Sequence, residues 1–200
     1  MRDLILKMSI SSFVGGLDGG INWVFDSDRE AAAWTVETVW NASLHIMGSR
    51  TFHDMAAYWP TSSEVYAPPM NQIPKSVFSK QGPTILKADA RANAGTGQPA
   101  ALQPGAESWV EAYVASGGLA EEVATLKARD GKPIIAHGGA GFARSLIAPG
   151  LVDQYDLLVH PVALGKGLPI FSDLARPRPL KLVSSKAFPL GSVAQIYRPA

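Results

Sequence analysis

Two hundred residues with 18 Lys+Arg against 17 Asp+Glu, 46% apolar residues and no cysteine describe a chain that buries one sizeable core, so a single domain over residues 1–200 is expected. A formal charge of +1 leaves no field for a phosphate backbone or an anionic bilayer, and the one basic cluster, Arg176, Arg178 and Lys181, is small, which argues against nucleic-acid and membrane partners. Without cysteine there is no thiolate metal site, no iron–sulfur cluster and no cysteine nucleophile, so redox chemistry needs a bound organic cofactor. The opening residues carry Lys7 and lack the apolar block of a secretory signal, and no run of about 18 apolar residues occurs, so the expected location is cytoplasmic.

Leu4, Leu6, Met8 and Ile10 alternate with Ile5, Lys7, Ser9 and Ser11, a period of two that predicts an opening strand with one face fully buried. Gly15, Gly16, Gly19 and Gly20 then predict a mobile loop. From Asp28, Ala32, Val36, Val39 and Trp40 recur at helical spacing, with Ser27 or Asp26 as cap. Leu44 to Met47 reads as strand and Ser49 to Tyr58 as helix. The prolines at 60, 68, 69 and 74 leave room for one short helix before a small strand at Ser76 to Ser79. Lys87 to Glu107, poor in large apolar residues, predicts a long surface loop. A strand at Trp109 to Val114 and a helix ending at Gly131 follow. Pro133 to Ala136 reads as strand, Phe142 to Ala148 as helix, Val152 to Val162 as a long strand, and Leu180 to Phe188 with Val193 to Tyr197 as a hairpin. Strands alternating with helices through residue 162 predict an α/β fold: a mostly parallel sheet covered on both faces, with an antiparallel ribbon at its C-terminal end.

Two segments carry chemistry. His137-Gly138-Gly139-Ala140-Gly141-Phe142 lies between a buried strand and a helix, where bare amides attract anions and glycines let a diphosphate approach the backbone. The plain alternative is a tight turn. A Rossmann fingerprint is disfavoured, because the third glycine is missing and too little alternating chain follows. Gly48-Ser49-Arg50-Thr51 also joins a strand to a helix, and Arg50 with Ser49 and Thr51 suits a phosphomonoester such as the 2′-phosphate of NADP. Ser79 and Lys80 end the next strand and offer the other side. By itself Ser49 would be a cap and Arg50 a solvated side chain.

Met8-Ser9, Phe13-Val14-Gly15-Gly16, Asp18-Gly19, Ile46-Met47-Gly48-Ser49-Arg50-Thr51-Phe52, Met55-Ala56-Ala57-Tyr58-Trp59-Pro60, His137-Gly138-Gly139-Ala140, Leu151-Val152-Asp153 and His160-Pro161-Val162-Ala163-Leu164-Gly165-Lys166-Gly167 together resemble the dihydrofolate reductase superfamily, in its RibD C-terminal-like branch. The resemblance runs along nearly the whole chain apart from residues 87–107. It implies a dihydrofolate reductase-like three-layer fold with a mixed, mostly parallel eight-stranded sheet. It further implies NADPH as cofactor, with the diphosphate on Gly138 to Phe142, the adenosine phosphate on Gly48 to Thr51 with Ser79 and Lys80, and the nicotinamide beside Val14 and Gly15. Where the branch usually carries Leu-Asp-Gly after Met-Ser, this chain has Ile10-Ser11-Ser12. In dihydrofolate reductases an acidic residue early in the first helix grips the pterin. Asp28, five residues after Trp23, matches that spacing and is the catalytic acid candidate; capping is the alternative.

The implied activity is an NADPH-dependent oxidoreductase passing hydride to a small nitrogen heterocycle, either a pterin or a ribosylamino-pyrimidine of riboflavin synthesis such as 5-amino-6-(5-phosphoribosylamino)uracil. The competing reading is a catalytically silent NADP(H)-binding module or scaffold of the same fold. His45, His53, His137 and His160 show no i, i+3 or i, i+4 pair, so no metal site is expected; His137, beside the glycines, is the one placed to line a pocket. Ser43, Ser79 and Ser145 sit in no nucleophile elbow. The C-terminal ribbon and residues 163–167 offer a surface for a homodimer, and oligomeric state stays open at this level.

Overall fold

The computed structural model describes residues 1–25, 28–87 and 101–200. Its eight strands are β1 (Leu4–Ile10), β2 (Leu44–Gly48), β3 (Lys75–Phe78), β4 (Tyr113–Ala115), β5 (Ile134–His137), β6 (Gln154–Val159), β7 (Leu180–Ala187) and β8 (Val193–Pro199). They form one sheet in the order β4-β3-β2-β5-β1-β6-β8-β7. Every pairing from β4 through to β6 is parallel, and β8 and β7 add an antiparallel edge. This is the predicted α/β arrangement: crossovers place helices on the faces, and the terminal hairpin needs none.

Alternation along the strands sorts two cores. Leu4, Leu6 and Met8 of β1, Ile46 of β2, and Ile134 and Ala136 of β5 meet Val123 and Leu126 of α4 (Leu119–Ala128) and Ala143, Leu146 and Ile147 of α5 (Ala140–Ile147). The opposite face sends Met47, Val77 and Ile135 to Val39 of α1 (Arg29–Trp40), Phe52 and Ala56 of α2 (Ser49–Tyr58) and Met70 of α3 (Ala67–Gln72). Burial of this kind is worth about 1.5 to 3 kcal/mol per large apolar side chain. It fixes the register of every central strand, because a slip of one residue would exchange the two faces.

Several boundaries differ from the predicted ones for identifiable reasons. Asp28, not Ser27 or Asp26, caps α1 through its own carboxylate; positions 26 and 27 lie outside the described residues. Trp109 closes a 3-10 turn (Ala106–Trp109) instead of opening a strand. Its indole N–H donates to Asn71 Oδ1 at 2.8 Å and its ring packs on Phe52, so side-chain anchoring replaces ladder bonds there. Of the predicted 87–107 loop, residues 88–100 lie outside the described part. Its end is docked, with the Gln103 N–H donating to the Pro60 carbonyl at 2.8 Å and Ala106 buried. The glycine segment after β1 closes on itself: the Gly16 and Gly20 backbones join at 2.9 Å, and Asp18 accepts from the Gly20 N–H. The strand predicted at 152–162 is held to Gln154–Val159, and Pro161, which has no N–H to donate, lies beyond its end.

Candidate functional site

Strands β2 and β5 are parallel neighbours, and each runs directly into a helix, so the N-termini of α2 and α5 stand side by side at the C-terminal edge of the sheet. Both helices start on glycine, Gly48 and Gly139, and neither first turn receives a side-chain cap. Their leading N–H groups therefore keep unspent donor capacity, and the two helix dipoles add positive potential at the same place. Gly139, at φ 95°, occupies the left-handed region, and a Cβ there would stand 2.6 Å from Thr51 Oγ1. Gly141 has nothing within 4 Å of where its Cβ would be. The cradle that the sequence suggested is thus bare on its outer side.

The two predicted clefts are one structure. Thr51 Oγ1 donates to the Gly138 carbonyl at 2.8 Å, tying the start of α2 to the turn before α5. Gly48 faces Phe142 closely, and the Phe142 and Phe78 rings pack with centroids 5.3 Å apart. Ser49 lies half-buried beside this junction and Arg50 is exposed. The Arg50 guanidinium extends toward the glycine turn, with Nη2 3.7 Å from where a Gly19 Cβ would stand. Ser79 is buried at the end of β3, its Oγ accepting from the Gln81 N–H, and Lys80 next to it is exposed. Val14 and Gly15 are buried and pair with Leu168: the Val14 N–H donates to the Leu168 carbonyl, and the Leu168 N–H donates to the Gly15 carbonyl at 3.0 Å.

Asp28 stands apart from these clefts, at the N-terminus of α1. Its Oδ1 accepts from the N–H groups of Glu30 and Ala31 at 3.0 and 3.1 Å, and its Oδ2 accepts from the Leu190 N–H at 2.8 Å. The Leu190 bond foremost, with those of Ala31 and Glu30, holds the carboxyl below its ordinary range against the opposing effect of desolvation. It caps α1 and, with three amides donating to it, is an ionised acceptor. One of its roughly four lone-pair sites remains, beside a recess of about 50 Å³ lined by Trp23, Asp28, His160, Pro161, Val162, Leu190 and Ser192. Trp23 Nε1 and Ser192 Oγ are buried at that wall without a hydrogen-bond partner among the described residues. A larger groove of about 600 Å³ lies at the other end of α5, lined by Ala148 and residues 174–179. There Arg178 donates to the carbonyls of Ile147 and Ala148, which is helix C-terminal capping, so the glycine edge and not the larger groove carries the candidate chemistry.

The sequence reading missed a buried polar row on the α1 face of the sheet. In register lie Asp156 of β6, Lys7 of β1 and His137 of β5. Next come His45 of β2, whose ring meets that of His137 edge-on at 4.6 Å, and Lys75 of β3, directly opposite His45. All are at most 9% exposed. Burial pushes His137 down to about 3, helped by Lys7 and Lys75, and pushes His45 well below its usual value, helped by His137 and Lys75. Among the described residues neither His45 nitrogen nor His137 Nε2 has a hydrogen-bond partner. Burial lowers Lys7 to about 8, against the pull of Asp156, and its Nζ lies 3.9 Å from the centroid of the Trp34 ring. Lys75 is lowered to about 7 by burial, opposed by Glu107, yet its Nζ donates to the Asn71 and Ile73 carbonyls and to Ser108 Oγ. The signal available in the sequence was a lysine in the middle of a largely apolar strand.

A mixed sheet of this order, with two open helix N-termini at one edge, defines a dihydrofolate reductase-like fold. The chain belongs to the family of the RibD C-terminal domain, whose model matches residues 4–194. A putative riboflavin biosynthesis protein from Shewanella sp. PV-4 shares the fold with a TM-score of 0.68 at 17% identity, over 100% of this chain and 99% of that one. A diaminohydroxyphosphoribosylaminopyrimidine deaminase/5-amino-6-(5-phosphoribosylamino)uracil reductase from Thermotoga maritima gives 0.61 at 16% identity, with 100% of this chain covering 57% of that one. YyaP of Bacillus subtilis (strain 168), itself described as uncharacterized, is 42% identical over 79 residues, which is 40% of this chain and 42% of YyaP. Among the described residues no helix is long and apolar enough to cross a membrane.

Proposed function

We propose that this chain is a cytoplasmic NADPH-dependent reductase that passes hydride to a nitrogen heterocycle of the ribosylamino-pyrimidine or pterin type, in or close to riboflavin biosynthesis. The observation that carries this reading is the pair of adjacent helix N-termini, both starting on glycine and both free of side-chain caps, joined by the Thr51 hydroxyl. One dinucleotide with a phosphate at each of two places suits that pair. Gly138, Gly139, Ala140, Gly141 and Phe142 would hold the diphosphate; Gly48, Ser49 and Arg50, with Ser79 and Lys80, would hold the adenosine phosphate; Val14 and Gly15 would flank the nicotinamide. Thr51 acts by fixing the two turns together, since its hydroxyl hydrogen is already given to Gly138. Bound there, the cofactor supplies hydride for a C=N or carbonyl carbon.

In this reading Asp28 is an orienting acceptor for a ring N–H, and the proton that accompanies hydride comes from water. The test is a titration of NADPH and NADH, followed by the loss of nicotinamide absorbance with dihydrofolate and with a ribosylamino-pyrimidine. Oxidation with either substrate supports the enzyme. Binding without oxidation supports the second reading, a silent NADP(H)-binding module. That reading draws on the recess beside Asp28, which at about 50 Å³ admits a water or two but no ring unless the hairpin turn at Leu190 moves.

A further inference from the structure

We propose that the recess beside Asp28 binds its heterocycle by a lactam edge, a ring N–H next to a ring C=O, and that Trp23 and Ser192 are the specificity-determining residues that read the oxygen. The proposal rests on Asp28 as an orienting acceptor and names the edge that a ring must present to it. Asp28 Oδ1 already accepts from the Glu30 and Ala31 N–H groups, and Oδ2 accepts from the Leu190 N–H. A carboxylate oxygen takes about two donors, so Oδ1 is full and Oδ2 has room for one more. Gripping an amidine edge, a ring nitrogen with an amino group beside it, takes a free lone pair on each oxygen. A single ring N–H needs only what Oδ2 has left.

Unspent donors stand beside that acceptor. Trp23 Nε1 and Ser192 Oγ, the latter on a residue only 4% exposed, are buried at the wall of the recess with no hydrogen-bond partner among the described residues. They match a carbonyl oxygen next to the N–H. The serine hydroxyl can turn to accept but the indole cannot, so an amino group in place of the oxygen would leave Trp23 unpaired. The backbone holds both donors in place. The Phe188 N–H donates to the Ser192 carbonyl at 2.8 Å, across a turn in which Gly191, at φ 90°, packs on Pro161. The Trp23 ring meets that of His160 edge-on at 5.4 Å. At about 50 Å³ the recess takes two edge groups in place of a water or two, and the body of the ring would lie against Val162 and Leu190, which are exposed apolar side chains.

The experiment titrates the full-length protein with three probes that differ only at ring positions 2 and 4: 5,6-diaminouracil, 2,5,6-triaminopyrimidin-4-one and 2,4,5,6-tetraaminopyrimidine. NMR reads the dissociation constants and the Trp23 indole N–H resonance, and NADPH is titrated in parallel by calorimetry. The first two probes keep the lactam edge and should bind alike, both shifting the Trp23 resonance, while the tetraamine binds at least about tenfold more weakly. Ser192→Ala and Trp23→Phe, their folding checked by circular dichroism, should each weaken the two oxo probes by about threefold to tenfold and leave the tetraamine and NADPH unchanged. Either variant suffices if the other fails to fold. An amidine grip predicts the opposite order, with the triamine and tetraamine ahead of diaminouracil, and that result overturns the proposal. So does an equal loss of all three probes in the variants, or no binding of any probe at millimolar concentration. Folded wild type that takes up no NADPH removes the reductase reading, while the order of the probes alone decides the recess.

Discussion

Arg50 and Asp28 show how much a single side chain depends on what already occupies it. Arg50 is exposed, and its guanidinium extends toward the glycine turn, where it is available to a phosphate. Arg50→Ala should therefore weaken NADPH by about 1.5 to 3 kcal/mol while leaving NADH nearly unchanged, as read by calorimetry. Equal losses for the two cofactors would remove Arg50 from the 2′-phosphate site. Asp28 is the reverse case, with three amides already on its carboxylate. Asp28→Asn should lower turnover and loosen both the α1 cap and the Leu190 turn, yet leave NADPH affinity close to wild type. If the turnover number holds while the melting temperature drops, Asp28 serves as a cap and nothing more.

At the scale of elements, the site is a joint between two strand–turn–helix units. Gly139→Ala would place a methyl in left-handed backbone and against Thr51 Oγ1, with an expected cost of about 1 to 3 kcal/mol in urea unfolding and a matching loss of cofactor affinity. Thr51→Val removes only the hydrogen bond to Gly138, for about 0.5 to 1.5 kcal/mol. Because Thr51 ties the turns together, that variant should weaken NADPH and NADH alike, in contrast to Arg50→Ala. A loss confined to NADPH would make Thr51 a direct phosphate ligand. These two glycine turns were legible in the chain because a strand, a glycine and a helix follow one another within a few residues. The hydroxyl that joins them was not, since Thr51 and Gly138 are 87 residues apart.

For the whole molecule, the buried row from Asp156 to Lys75 makes stability depend on pH. His137, at about 3 in the folded chain, lies below the ordinary histidine value near 6.5, so the fold favours its neutral form. The unfolded chain then binds the extra proton, and stability present above about pH 6.5 is lost as pH falls toward 3. Lowering pH from 7 to 4.5 should cost about 2 to 3 kcal/mol through His137, with His137→Gln giving a shallower slope in urea titrations. A slope that persists unchanged in that variant would place the acid sensitivity elsewhere. Lys7 adds to the trend with the same sign: its folded value of about 8 lies below that of a free lysine, so stability continues to rise from there toward about pH 10.4.

What the chain determined unaided is everything carried by short-range pattern. The alternation of Leu4, Leu6 and Met8, the helical spacing of α1, and the glycines placed between strand and helix each require only neighbours within a turn or two. They were enough for the class of fold and for the two glycine turns between strand and helix. Only the tertiary structure decided that β2 and β5 lie side by side and merge those turns, that Asp28 is bound by Leu190 from the far end of the chain, and that Lys7 shares a row with His137 and Asp156. Sheet order and cross-strand register set which distant side chains meet, and the electrostatics of a buried group follows from those partners and from its burial, neither of which a local pattern encodes.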